Sequence, residues 1–367
     1  MSAMPTSFAV VVTNYNYARF VLEAVQSALG QTRAPHRVIV IDDGSIDDSA
    51  ARLAAAYGDD PRVELVFSPN RGQLAGFANG AARAQADVVC FLDADDLWEP
   101  HYLAALGTLY DARPDVDFVF SNLRKFGRAS DVEAFAEQEE DLGHTAVMTW
   151  LTGAWYGAST SALSMRRDWA LRCTDFPEPF MRMWRICADA CVHLSAGVYG
   201  ARKYYLPTNG VRYRIHGENA WHSNQTAASD YRESLAKRCT LNHCAERIGL
   251  QANCAALLPL EFATKPNPSA REIARYRDLM DRLAHDPGSI APLEHLPTPR
   301  RHVTPDDEGA HLPEAGAAPQ QQPTTDESRP GKAPLAAFLS LGRNPPLRRP
   351  RRYLRDVLRV VLQKPNL

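Results

Sequence analysis

Apolar residues in the first 121 positions gather into short unbroken runs: FAVVVT (8–13), RVIVID (37–42), VELVF (63–67), DVVCFLD (87–93) and VDFVFS (116–121). Between them, ARFVLEAVQSALGQ (18–31), IDDSAARLAAAYG (46–58), QLAGFANGAARAQA (73–86) and PHYLAALGTLYDA (100–112) repeat their apolar positions at helical spacing. Strands that are apolar on both faces and alternate with helices predict a mostly parallel sheet covered on both sides. The expected fold class is therefore α/β, a Rossmann-like open sheet flanked by helices. Such sheets bind ligands beyond the C-terminal ends of their strands.

The pattern loosens from 122 onward. TAVMTWLTGAWYGASTSALSMRRDWAL (145–171) is followed by a helix-like ICADACVHLSAGVYG (186–200), a hairpin-like ARKYYLPTNGVRYRIHGENAW (201–221) and long helices over 226–248 and 269–285. The reading is one domain over 1–260, in halves of 1–121 and 122–260, with 261–285 as a helical extension. Residues 286–333 are rich in Pro, Gln, Ala, Glu and Asp and poor in aromatics, which predicts a disordered linker. The tail, 334–367, is strongly basic. In RRYLRDVLRVVLQ (351–363), Tyr353, Leu354, Val357, Leu358, Val361 and Leu362 recur at helical spacing among Arg351, Arg352, Arg355 and Arg359. A C-terminal basic amphipathic helix of this kind suits an anionic membrane surface, or else docks on the protein's own domain or on a partner.

Composition narrows the classes. With 45% hydrophobic and 23% charged residues and a formal charge of -2, the chain has an ordinary globular make-up and no reason to seek nucleic acid. No run approaches the roughly 20 apolar residues of a membrane span, and MSAMPTSFAVVVTNYN lacks the layout of a signal peptide. The expectation is a cytoplasmic protein, with peripheral contact at the inner membrane face through the tail. Seven cysteines without C-x-x-C spacing read as buried, reduced thiols.

Two predicted strands end in acid. RVIVIDDGSIDDS finishes on Asp42 and Asp43 and turns at Gly44; FLDADDLWEP carries Asp93, Asp95 and Asp96. Trp98 and Pro100 read as punctuation at the start of a helix. Parallel strands would bring both clusters to one edge, where carboxylates raise one another's pKa unless a cation sits among them. Oxygen ligands in a short strand-to-loop segment favour Mg²⁺ or Mn²⁺, with open positions for phosphate oxygens. Either cluster alone is also an ordinary acidic turn; their pairing points to a site that holds a diphosphate.

VVVTNYNYARFVLEAVQSALGQT, VIVIDDGSIDDS, NRGQLAGFANGAARAQADVVCFLDADD and YRIHGEN follow one another in an order that resembles family 2 glycosyltransferases, over about residues 7–220. The resemblance implies a glycosyltransferase-A fold with a nucleotide-binding half and an acceptor half. It implies inverting, metal-dependent transfer of a sugar from a nucleotide-diphosphate sugar to an acceptor hydroxyl, with UDP the expected nucleotide. The implied acceptor is a carbohydrate or glycolipid in surface-polysaccharide or glycan assembly. By the same resemblance Thr13, Tyr15, Asp42 and Asp43 belong to the nucleotide site, joined by Asp93, Asp95 and His216. Asp95 and Asp96 would be the metal ligands, the choice between them open. Asp189 would be the general base, although Ala188 stands where many relatives have an acid. Arg212 or Arg214 would pair with phosphate, and Trp155 and Tyr156 would offer an aromatic platform to the acceptor or else belong to the core.

A glycoside hydrolase also works with paired carboxylates but needs no base-binding loop, and a nucleotidyltransferase would carry a glycine-rich phosphate loop where TNYNYARF stands. A non-catalytic nucleotide-sugar-binding or scaffold protein of the same fold is the alternative from another class; it would be signalled by loss of the metal or base carboxylates.

Overall fold

The structure, a computed structural model, describes residues 4–217, 219 and 226–285. The expected linker, 286–333, and the basic tail, 334–367, lie outside the described residues. Strands β1 (Phe8–Asn14), β2 (Arg37–Asp42), β3 (Val63–Phe67) and β4 (Val88–Asp93) alternate with helices α1 (Val21–Leu29), α2 (Ser49–Tyr57) and α3 (Gln73–Arg83). These four strands pair in parallel in the order β3-β2-β1-β4. Every residue of Phe8–Val12 is buried, as a strand covered by helices on both faces requires. Val21, Ala24, Val25 and Ala28 form the buried stripe of α1. Gly80 lets α3 lie against β1, since a Cβ there would meet Val11 Cγ1 at 2.3 Å.

Next come β5 (Leu97–Trp98), α4 (Tyr102–Ala112), β6 (Phe118–Phe120), β7 (Leu123–Gly127), β8 (Val132–Glu133), β9 (Glu140–Gly143) and α5 (Ala146–Thr152). Then follow β10 (Leu163–Arg166), α6 (Arg167–Thr174), α7 (Glu178–Met183), α8 (Ala188–Val198), β11 (Lys203–Tyr205) and β12 (Val211–Ile215). Helices α9 (Ala227–Arg247), α10 (Leu258–Phe262) and α11 (Ala270–His285) complete the described elements. The main sheet runs β3-β2-β1-β4-β10-β6-β11-β9, and a second sheet runs β5-β12-β7-β8.

Two local expectations are corrected, and one strand was not foreseen. Among the described residues of 201–221 there is no hairpin: β11 pairs with β6 and β9 in the main sheet, whereas β12 pairs with β7 and β5 in the second. The turn between them, with Asn209 at φ 53° and bonded to Asn122, carries the chain from one sheet to the other. Strand β10 was not legible because it is short and half polar; it enters antiparallel between β4 and β6, and its buried Ser164 is matched by the Tyr110 hydroxyl. Trp98 starts no helix. It lies in β5, buried, with its indole N–H donating to the Ser161 carbonyl at 2.8 Å. Among the described residues, no helix is long and apolar enough to cross a membrane.

Candidate active site at the strand ends

Because β1 lies between two parallel partners, register alone brings the acids together: Asn14 faces Asp42 and Thr13 faces Asp93. The two clusters play different parts. Asp42 is buried, with Oδ2 accepting from Asn14 Nδ2 at 2.6 Å and Oδ1 from the Ser45 N–H at 2.9 Å. This corrects the expectation that it faces a ligand. Asp43 accepts from the backbone N–H groups of Arg71 and Gly72 at 2.8 and 2.7 Å, and so anchors the loop before α3. That loop depends on glycine: Gly72 has φ +92°, and a Cβ would sit 2.6 Å from Arg185 Cα. Tyr15, just beyond the end of β1, is 45% exposed.

At the end of β4 the three acids diverge. Asp96 is turned into the protein, where Oδ2 accepts from Ser161 Oγ at 2.6 Å and Oδ1 from the Arg214 N–H at 2.8 Å. Burial, then Asp95 and Asp93, hold its carboxyl well above the usual range. Asp96 is thus the more enclosed of the two acids between which the choice of metal ligand was open. Asp95 points the other way: its Oδ2 lies 3.0 Å from His216 Nε2, and Asn219 Nδ2 is 3.5 Å off. The His216 ring packs on Phe20, centroids 4.9 Å apart, and edge-on to Tyr17 at 5.8 Å. Asp93 accepts from Gln73 Nε2 at 2.9 Å, with Thr13 Oγ1 at 3.4 Å. Burial first, then Asp95 and Asp189, push its carboxyl up to about 8.

Asp189 sits in the first turn of α8, where the open N–H groups and the helix dipole favour a negative charge. Its Oδ1 accepts from the Ala190 N–H at 2.8 Å. Burial pushes its carboxyl up to about 6, against the pull of that N–H and of Lys237. The two aromatic residues separate. Trp155 meets the His193 ring edge-on at 3.8 Å, with Lys237 Nζ over its face at 5.4 Å. Tyr156 is fully buried and donates from its hydroxyl to Glu272 Oε2 at 2.8 Å, so it is a core residue and no platform. Arg212 lies over the Phe126 ring, 4.5 Å from its centroid.

The sequence profile of glycosyl transferase family 2 matches residues 9–172. An uncharacterized glycosyltransferase of a Nostoc species is 34% identical over 236 residues, 62% of this chain and 70% of that protein. The chain belongs to glycosyl transferase family 2. A second relative, the succinoglycan biosynthesis protein ExoU of Rhizobium meliloti, is 38% identical over 106 residues, and the match spans 29% of this chain and 31% of ExoU. Among solved structures, TarS 1-349 of S. aureus in complex with UDP aligns with a TM-score of 0.49 at 16% identity, over 76% of this chain and 72% of that one. Family 2 membership and the sheet described above give the fold as glycosyltransferase-A type, a central sheet flanked by helices.

In this family 2 chain, several residues that shape the site escaped the sequence reading because they work through contacts between distant segments. Ser161 holds both Asp96 and the N–H of Asp93, the latter at 3.1 Å. Gln73 reaches Asp93 and the start of α8. Arg212 or Arg214 was the expected phosphate partner; the Nε of Arg214 donates to the Asp95 carbonyl and its Nη2 to Glu23 Oε2, each at 2.7 Å, so it clamps the DADD turn. Burial first, then Asp96, Asp95, Asp93 and Asp189, push the Tyr213 hydroxyl up. The one available signal was the polar alternation of YRIHGEN. It marks a strand with one face turned to the acids but names no partner.

Proposed function

We propose that this protein is an inverting glycosyltransferase that moves a sugar from a nucleotide-diphosphate sugar, with UDP as the nucleotide, to a hydroxyl of a carbohydrate or glycolipid acceptor. The observation that carries this reading is the convergence of Asp93, Asp95, His216 and Asp189 at the C-terminal edge of the parallel strands. Each oxygen of Asp43 keeps a second lone pair beside its loop bond and can accept from the N–H of a uracil ring, with Tyr15 open to stack on the base and Thr13 next to Asp93.

The donor set fits a hard divalent ion. Among the described residues no three His, Cys, Asp or Glu side chains form a group that would hold an ion alone. Mg²⁺ and Mn²⁺ bind through one or two carboxylates and substrate phosphates, and Asp95 with His216, next to Asp93, supplies such a partial shell. Asp95 rather than Asp96 is the ligand in this reading, because Asp96 is the more enclosed, 1% exposed against 8%, and is turned toward Ser161 and the Arg214 N–H. Such an ion would neutralise the charge that grows on the leaving diphosphate.

Asp189 takes the proton of the acceptor hydroxyl. A bond then forms from that oxygen to the anomeric carbon, while the anomeric carbon–phosphate oxygen bond breaks and its electron pair leaves with the diphosphate. A carboxylate raised to about 6 is ionised at neutral pH and basic enough to assist. Trp155 offers the remaining ring surface for the acceptor sugar. Polysaccharide assembly accords with the name of ExoU, and the reading places the enzyme in the cytoplasm with its basic tail on the inner membrane face.

The test is a panel of nucleotide sugars with Mn²⁺ or Mg²⁺, scored by thermal shift and by donor turnover. Cation-dependent stabilisation by one nucleotide class is expected. Absence of any shift or turnover across the panel overturns the reading.

A further inference from the structure

Gln73, the first residue of α3, shares its amide between the two halves of the site. Its Nε2 donates to Asp93 Oδ1 at 2.9 Å and lies 3.3 Å from Thr160 Oγ1, while its Oε1 accepts from the Ala188 N–H at 2.8 Å. The Ala188 N–H fixes the orientation, since a backbone N–H donates only to the amide oxygen and so turns the NH₂ end to Asp93. Ala188 opens α8 directly after Cys187, whose φ of 57° is sparsely populated for a residue with a side chain. The Ala188 N–H is also one of the helix's open amides, with no partner inside the helix. Two further bonds tie the same segments: Gln73 N–H to the Arg185 carbonyl at 2.9 Å and Leu74 N–H to the Trp184 carbonyl at 3.2 Å. A strained helix start is thus held from outside by the residue that also holds Asp93.

We propose that Gln73 is a positioning residue that locks Asp189 at a set distance from the donor-side carboxylates. This rests on the reading of Asp189 as general base. The reaction needs the acceptor oxygen lined up behind the anomeric carbon, so loosening the first turn of α8 costs turnover while the donor still binds. Lys237 and Glu233 of α9, an ion pair, act on the Asp189 carboxyl as well, the first lowering and the second raising its pKa.

Two full-length variants test it. Gln73→Met keeps the length and helix preference of the side chain but makes neither bond. Gln73→Glu keeps an oxygen for the Ala188 N–H and sets a second carboxylate against Asp93. Hydrogen exchange at amides 187–190 should be about tenfold faster in Q73M than in wild type and near wild type in Q73E. With the donor found by the panel, kcat of Q73M should fall roughly 10- to 100-fold with donor KM little changed, whereas Q73E should raise donor KM. Unchanged exchange in Q73M, a wild-type kcat, or a loss carried wholly by donor KM overturns the proposal. Failure of the functional reading shows differently, as a wild-type chain that turns over no donor while the exchange difference persists.

Discussion

His216 Nε2 lies 3.0 Å from Asp95 Oδ2, joining side chains 121 residues apart where β12 meets the end of β4. Asp96, the neighbour of Asp95, bonds instead to Ser161 and the Arg214 backbone. Adjacent acids in one motif therefore do different work, and alanine substitution should separate them. D95A should abolish cation-dependent donor binding and leave Tm equal or higher, since it relieves repulsion with Asp93. D96A leaves a buried N–H and hydroxyl without their acceptor and should lower stability by about 1–3 kcal/mol. Calorimetric titration of UDP with Mn²⁺, alongside thermal melts, reads both; a D95A protein that binds as wild type would reject Asp95 as the ligand.

Asp189→Asn should leave donor affinity within about twofold and cut transfer by roughly 10²–10⁴, the range for a positioned general base. In the wild type, kcat should rise as pH passes through about 6, where Asp189 loses its proton. Normal turnover by the Asn variant would remove Asp189 from the mechanism.

The contributions of Asp189 and Asp93 to stability without added cation should fall as pH rises. The two hold their protons up to about 6 and about 8, above the usual value of 3.8, so between 3.8 and 8 these two carboxyls bind more protons in the folded chain than in the unfolded one. The sign follows: each group's contribution is fully present at acid pH and lost through its folded pKa, by at most about 1.4 kcal/mol per pH unit. Melts at pH 5 and 8.5 should show this loss, with Asp93→Asn flattening the slope and Mn²⁺ restoring Tm at the higher pH. A slope unaltered by D93N would show that the acids do not share the site.

Tyr156→Phe and Trp155→Ala should behave oppositely. Removing the Tyr156 hydroxyl deprives buried Glu272 of one bond, leaving Arg275 at 2.7 Å and Lys265 at 3.3 Å, for a cost of about 1–2 kcal/mol in stability and none in kcat. Trp155→Ala should raise acceptor KM with donor KM unchanged. Steady-state kinetics against both substrates decides; equal effects on the two KM values would take Trp155 out of the acceptor site.

Deleting 335–367 should abolish sedimentation with anionic liposomes and leave soluble-acceptor turnover intact. Equal binding by the truncated chain would assign the tail to a protein contact.

What the sequence by itself determined was the parallel half of the fold and the edge on which its acids gather. Continuous apolar runs such as AVVV in β1 and VIVI in β2 are buried on both faces, and parallel register carries their acidic ends to one side without further information. The helices at 227–247 and 270–285 were legible because a helix is a local pattern. Only the tertiary structure decided the rest. The antiparallel insertion of β10 and the step from β11 to β12 depend on pairing between strands far apart in the chain. The division of labour among Asp42, Asp93, Asp95 and Asp96 depends on which neighbour reaches each carboxylate first: Asn14, Gln73, His216 or Ser161. A carboxylate in a motif shows the capacity to bind a charge. Whether that capacity faces the solvent or is spent inside the protein is set by hydrogen bonds from segments the local sequence cannot see.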